Sequence, residues 1–347
     1  MFYSRLNMCP YCLKIRKFGI FIFFLFFVFI AKSQPTASSM NLKGNVRILY
    51  AHTHIAKDIV VKDNVLVSYQ KGKLINHTDY IFDKNGLLLA ENNFNNEDII
   101  DISYIYIYDE SDRLIEETRA QSGKFQLGRT EYMYDKNGRK IKKIIYDQID
   151  SLKNTIIYAY DSLGNLYSEK TYSKVGRITK EIYYQHDQRG NLIFVNSVKT
   201  DIPVNKPYQE VQKFDDRNNL IYKSYIKEDT LKWEYTAHYN KKDSLIYEET
   251  KDGQGKITYY STLKFNKDKR VSMMQYHLNR ETLNTETYYK YDKKGKPLSE
   301  KVYTENKKEL LTIRTFFYDE KENWIYCLEE NKKNNTNIVY SRRINYF

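Results

Sequence analysis

The sequence predicts an all-β protein, an elongated coiled antiparallel sheet or β-solenoid built from about ten β-hairpin repeats of about 26 residues. Three observations predict it. An Asx residue recurs at Asp83, Asp109, Asp135, Asp161, Asp187, Asp215, Asn240, Asn266, Asp292 and Asp319, in steps of 25 to 28 residues. The residue before it is Tyr or Phe in nine of the ten copies, with His186 in the remaining one. Three residues after it stand Gly86, Asp112, Gly138, Gly164, Gly190, Asn218, Asp243, Lys269, Gly295 and Glu322, mostly types that tolerate a positive φ. A fixed period of this length is the mark of a repeat architecture.

Each column has a physical job. In "YMYDKNGRKI", residues 132–141, Tyr132 and Tyr134 are spaced for one strand face and Asp135–Gly138 for a turn. An Asx side chain accepts a bond from the backbone N–H two residues on and starts the turn. The Gly-like residue takes the left-handed position of a type I turn with a G1 bulge. A second strand opens at the Leu column (Leu88, Leu114, Leu166, Leu192, Leu220, Leu245), and Glu91, Glu117, Glu169, Glu248 and Glu300 follow three residues later. A second polar turn leads into the next copy. Open twisted sheets rarely exceed ~10 strands without curling or splitting, so about twenty strands predict a coil. Its ends then need protection against edge pairing. Residues 34–78 read as an N-terminal lead-in and cap, and 79–347 as the repeats with a closing strand, "IVYSRRINYF", whose Arg342 and Arg343 discourage further pairing. The longer step around "KTDIPVNKPYQE", with Pro203 and Pro207, predicts a bend or exposed loop.

Composition agrees. The 347 residues hold 34 Tyr against 13 Gly and 5 Pro, and aromatic side chains suit a pleated, half-buried surface. That aromatic content argues against disorder in spite of a mean hydropathy of −0.70. Residues 1–33 read as a signal peptide: a basic leader, the apolar run "FGIFIFFLFFVFIA", and small residues Ala31 and Ser33 ahead of cleavage before Gln34. A run of 14 is short for a membrane span, and an uncleaved anchor is the rival reading. An exported location in the periplasm, at the cell surface or outside the cell follows. Removing the five basic residues of the leader from 56 leaves 51 against 44 acidic ones, a net +7, too mild for a nucleic-acid footprint. Cys9 and Cys12 in "CPYC" fall within the leader, without the strand and helix a redox pair needs. Cys327 remains, read as a small buried apolar residue.

The columns "Y-x-Y-D-x-x-G-x-L" resemble the YD repeat of the Rhs-type family over roughly residues 79–347. They are most similar to secreted bacterial YD-repeat proteins that begin near "NLKGNVR" and end in "NW…R-x-I-x-Y", here Asn323, Trp324, Arg342, Ile344 and Tyr346. The resemblance implies a β-hairpin scaffold. Large members coil such hairpins into a shell around a C-terminal toxin. This chain is expected to lack that role, being short for a shell, without an Asp-Pro dipeptide and without a further domain.

No catalytic residue, cofactor site or metal site is expected. Asn at 240 and 266 keeps the turn bond without the charge, as a turn role predicts; calcium wants six to eight oxygen ligands. His52 and His54 share one strand face, but zinc needs a further ligand and none is evident nearby. His77, His238 and His277 look isolated. Carboxylates are too numerous to single out a glycosidase pair. The expected function is that of an exported, non-enzymatic interaction scaffold at the cell envelope or outside the cell. The alternative is a glycan-binding module that uses exposed rows such as Tyr104, Tyr106 and Tyr108, with Trp233 and Trp324. The partner is accordingly a protein or a polysaccharide, with no nucleic acid and with membrane contact only through the signal segment.

Overall fold

The computed structural model describes residues 36–122, 125–198, 207–278, 284–304 and 308–347. The signal segment, Cys9, Cys12 and Pro203 lie outside the described residues. Those described form 22 strands in a single sheet, with one 3-10 turn at Ser38–Met40. Among them no helix is long and apolar enough to cross a membrane. The first strands are β1 (Val46–Lys62), β2 (Val65–Phe82), β3 (Leu88–Phe94), β4 (Ile100–Tyr108) and β5 (Leu114–Gln121). The last two are β21 (Trp324–Asn331) and β22 (Thr336–Tyr346).

The turns follow the sequence columns. Asp135 Oδ1 accepts the backbone N–H of Asn137 and of Arg139, each at 2.9 Å. Asn240 and Asn266 accept the same pair of bonds, so one amide oxygen does the work of the carboxylate. All ten residues of the Gly-like column have positive φ, from 58° at Asp243 to 93° at Gly295. The same turn also closes three opposite strand ends, at Asn95, Asp147 and Asp252.

The tyrosine column joins one hairpin to the one before it. Tyr108 donates its hydroxyl to the carbonyl of Leu88 at 2.8 Å, Tyr160 to Lys140 at 2.8 Å, Tyr239 to Leu220 at 3.1 Å and Tyr291 to Val271 at 2.9 Å. Each acceptor lies 19 or 20 residues upstream, in the Leu column. Burial pushes the Tyr108 phenol well above its ordinary pKa, and the charges of Asp83 and Glu117 add to the effect. The hydroxyl is thus a fixed donor.

The expectation of an elongated coil or β-solenoid is overturned by the pairing of β1. This strand is hydrogen-bonded to β2 on one side and to β22 on the other. The register with β22 runs from Val46↔Tyr346 to Ala56↔Asn337. The antiparallel sheet is therefore closed, as in a barrel, by its first and last strands. The physical reason is the edge. Closure satisfies the backbone of both terminal strands, which in a solenoid would need guarding. Arg342 and Arg343 consequently do not face a free edge. Arg342 stacks on Trp324 at 3.6 Å and Arg343 on Tyr50 at 4.0 Å.

The chain divides into two compact units, one of residues up to Arg129 together with Arg314–Phe347, the other Thr130–Ile313. In the first, Val46, Leu49, Ala51, Tyr80, Phe82 and Leu88 form a core against which Tyr106, Ile344 and Tyr346 pack. A second cluster joins Ala56 and Leu66 to Phe317, Leu328 and Val339. Cys327, next to Leu328 in sequence, is buried. A polar latch completes the seam. Lys43 donates its backbone N–H to Asn323 Oδ1 at 2.7 Å. Asn323 Nδ2 donates to the Lys43 carbonyl at 2.9 Å and to Tyr346 Oη at 2.8 Å. Tyr346 Oη in turn donates to Asp319 Oδ2 at 2.8 Å. Gly44 has φ +82°, and a Cβ there would sit 3.3 Å from the Tyr346 ring. The "NLKGNVR" and "NW…R-x-I-x-Y" segments thus meet.

In the second unit the core includes Ile144, Ile182, Val195, Ala237, Met274 and Val302. Glu248, 1% exposed, is held among hydroxyls. Tyr235 donates to its Oε2 at 3.0 Å; Tyr259 and Ser261 donate to its Oε1. Desolvation raises the pKa of this carboxyl, and the three hydroxyls oppose the rise.

Asn323 is 2% exposed, so Asn323→Ala strands buried partners. It should cost about 2–4 kcal/mol in urea unfolding. Tyr239→Phe, which deletes one hydroxyl, should cost about 1 kcal/mol. Equal effects of the two substitutions would refute the special weight given to the seam.

Candidate functional site: a stacked histidine cluster

Three histidines and two aspartates meet in the first unit. The register of β1 with β2 sets His52 opposite His77, and that of β2 with β3 sets His77 opposite Phe94. Directly opposed side chains on one face lie close enough to touch. The rings accordingly stack, His52 on His77 at 3.9 Å and His77 on Phe94 at 3.8 Å, with interplanar angles of 21° and 9°. His54, two residues along β1, lies 6.0 Å from His52 in a nearly parallel plane. His77, which looks isolated in the sequence, is the centre of the cluster.

Both nitrogens of His77 meet carboxylates. Nε2 is 2.8 Å from Asp79 Oδ1, on the same strand face two residues on. Nδ1 is 2.6 Å from Asp98 Oδ1. Asp98 sits at the positive-φ position of the Asn95–Ile99 turn, at φ 64°. Asn95 Oδ1 holds that turn by accepting from Glu97 at 2.9 Å and Ile99 at 3.1 Å. An ionised carboxylate only accepts, so two such contacts call for two N–H donors, an imidazolium. Burial alone would lower the His77 pKa. The hydrogen bonds to Asp79 and Asp98 and their charges outweigh it and hold the ring above 6.5. His52 moves the other way. Desolvation, then the charges of His77 and His54, push it down to about 4. His54 is lowered by burial and by Lys71, and its Nδ1 is buried with no hydrogen-bond partner.

His52, His77 and Asp98 each bring one ligating atom within 4.8 Å of the others. As arranged they do not fit a metal. Stacked imidazoles direct their lone pairs side by side rather than toward one point, and both His77 nitrogens are already taken. The cluster is built to hold a proton.

The sequence-predicted surface residues are placed apart from this cluster. Tyr106 is largely buried against the first core, and burial with Glu91 and Glu117 drives its pKa far up. Tyr108 has its hydroxyl on Leu88, and Arg119 lies over Tyr104 at 5.9 Å. Trp324 carries Arg342 on its face. Trp233, in the second unit, stacks on Tyr225 at 5.9 Å with Lys223 nearby. A ladder of rings, which single positions in the sequence do not reveal, crosses four strands of that unit. It runs from His238 to Tyr247 at 5.6 Å, to Tyr260 at 6.2 Å and to His277 at 3.9 Å. Tyr260 and His277 stack at 12°, while the other two pairs are tilted at 41° and 34°.

No family model matches the chain, and no curated protein matches it. Among solved structures it is similar to the TcdB2–TccC3–Cdc42 complex at TM-score 0.41 and 12% identity, over 85% of this chain and 17% of that one. It is similar to the Tc holotoxin pore of Photorhabdus luminescens with a TccC3 D651A mutation, at TM-score 0.39 and 12% identity, over 83% and 16%. A porin-like protein from Bacteroides uniformis gives TM-score 0.31 and 10% identity, over 90% and 98%. The chain spans about a sixth of the first two. Likeness at this level assigns no activity.

A His52 ring held neutral in the fold binds its proton on unfolding, so below pH 6.5 the unfolded state takes up more protons. Stability should fall as pH drops from 6.5 toward 4. In urea titrations at pH 7 and pH 5, His52→Gln should show a smaller difference between the two midpoints than the parent chain. An unchanged difference would show that His52 does not titrate as its setting requires.

Proposed function

We propose that the chain is an exported, non-enzymatic β-hairpin repeat protein of the secreted YD-repeat kind, acting as an interaction scaffold at the cell envelope. One observation carries this reading. The repeated columns bind the chain to itself, while the position beside the tyrosine column is mostly exposed and varies. In eight of the ten copies that position is exposed, as Ile107, Met133, Ala159, Gln185, Lys213, His238, Lys264 and Lys290, while Ile81 is half-buried and Phe317 buried. A constant internal framework with a variable outer residue suits display of a surface to a partner. Export rests on the reading of residues 1–33 as a signal peptide.

A glycan platform on the tyrosine and tryptophan rows is the second reading. Stacking on a sugar requires an open ring face. Arg342 lies over the face of Trp324, and Tyr260 and His277 stack on one another, which favours the scaffold.

Photo-crosslinking residues placed at Ile107 and Lys264 in the full chain, expressed in its own cells, test the proposal. Discrete adducts are expected, together with an exported product whose N-terminus is Gln34. Absence of adducts, with saturable polysaccharide binding lost on Trp233→Ala or Trp324→Ala, would replace the scaffold with the glycan platform.

A further inference from the structure

We infer that His77 is a proton-operated clamp that fastens the β3–β4 turn to the β1–β2 hairpin. The inference is independent of the scaffold reading. In the clamped state the imidazolium donates from Nε2 to Asp79 and from Nδ1 to Asp98, tying β2 to the Asn95–Ile99 turn. Loss of one proton to water leaves a single N–H, which can serve one carboxylate only. The unprotonated nitrogen then presents a lone pair to a carboxylate oxygen, which repels it.

The two carboxylates are unequal, and this gives the release a direction. The Asp79 side chain is 14% exposed and cannot reach water without disturbing β2. The Asp98 side chain is 60% exposed and stands on a turn. Neutral His77 therefore keeps Nε2–H on Asp79 and releases Asp98. The ring itself stays in place, sandwiched by His52 and Phe94. The charged and titratable groups around it are few. β1 contributes His52 and His54, both depressed, and β2 contributes Asp79 and the more distant Lys71. The turn contributes Asp98, while Phe94 from β3 and Ser341 from β22, opposite His52, carry no charge. Neutral His52 on the ring face adds no like charge, so the cation at His77 is tolerated.

The sign follows from linkage. A histidine whose pKa is raised by folding contributes stability that is complete below pH 6.5 and lost as pH rises through its folded value. The turn is thus clamped at pH 6.5 and freed as pH rises through the raised His77 value.

The test uses the full chain. Imidazole NMR follows the His77 titration, and hydrogen exchange, corrected for intrinsic rates, follows the Glu97 and Ile99 amides from pH 6 to 9. We expect His77 to titrate above 6.5. Protection of both amides should fall about tenfold with the same midpoint, the scale of one charge-assisted hydrogen bond. In Asp98→Asn, an exposed and structurally mild change, and in His77→Gln, that pH step should vanish. Titration of His77 below 6.5, or turn protection that ignores its midpoint, would overturn the clamp. Restoration of protection at pH 8.5 by added zinc would also overturn it, since a metal would then be the natural occupant.

Discussion

The fold depends on one seam. Asn323 closes the tenth turn and, with the same amide, holds the backbone of Lys43 and the hydroxyl of Tyr346. Without the pairing of β1 with β22 that this contact flanks, each strand would present an open edge. The apolar neighbours are matched to it: Leu42, Val46 and Leu49 are buried with Tyr80 and Phe82 while Ile344 and Tyr346 pack from the other side. A buried side chain with all its bonds made thus reinforces the closure that the β1–β22 ladder makes. Partly satisfied, such a group would be worse than an apolar contact.

Around the seam the repeats supply uniform cohesion. Oδ1 of the turn Asx gathers two backbone N–H groups alike at Asp215 and Asn240, which explains why Asn and Asp interchange in this column. Tyrosine hydroxyls reach back one hairpin, so the phenol serves as a spacer as well as an apolar ring. Where Phe replaces Tyr, as at Phe82, the ring alone remains, and there it is fully buried in the core. The abundance of tyrosine is in this sense a property of the framework before it is a property of any surface.

Much of this is legible in the sequence, because it is local. The Asx, the positive-φ residue and the tyrosine fall within eight residues of one another, and their chemistry is short-ranged. Both ends of the seam are also visible as motifs, at Lys43–Val46 and Asn323–Trp324. Their meeting is not, since nothing local states that residues 280 apart share hydrogen bonds. The histidine cluster escapes for a related reason. His52 and His77 are 25 residues apart in a segment where the repeat is irregular, and the β1–β2 register shifts near His54. A slip of one residue would turn His77 to the other face. Asp98 is hidden differently, as a turn residue whose type is explained by backbone conformation alone.

The place of β1 in the ring has a temporal consequence. It leaves the ribosome, and on the export reading the membrane, before any other strand. β2 follows at once and can pair with it, but the strand for its other side, β22, is the last of the described strands. Contacts of such separation form late, and an unpaired edge kept open meanwhile invites other strands. The first strand to emerge is thus the last to be fully paired, and β22 must be delivered before the ring can shut.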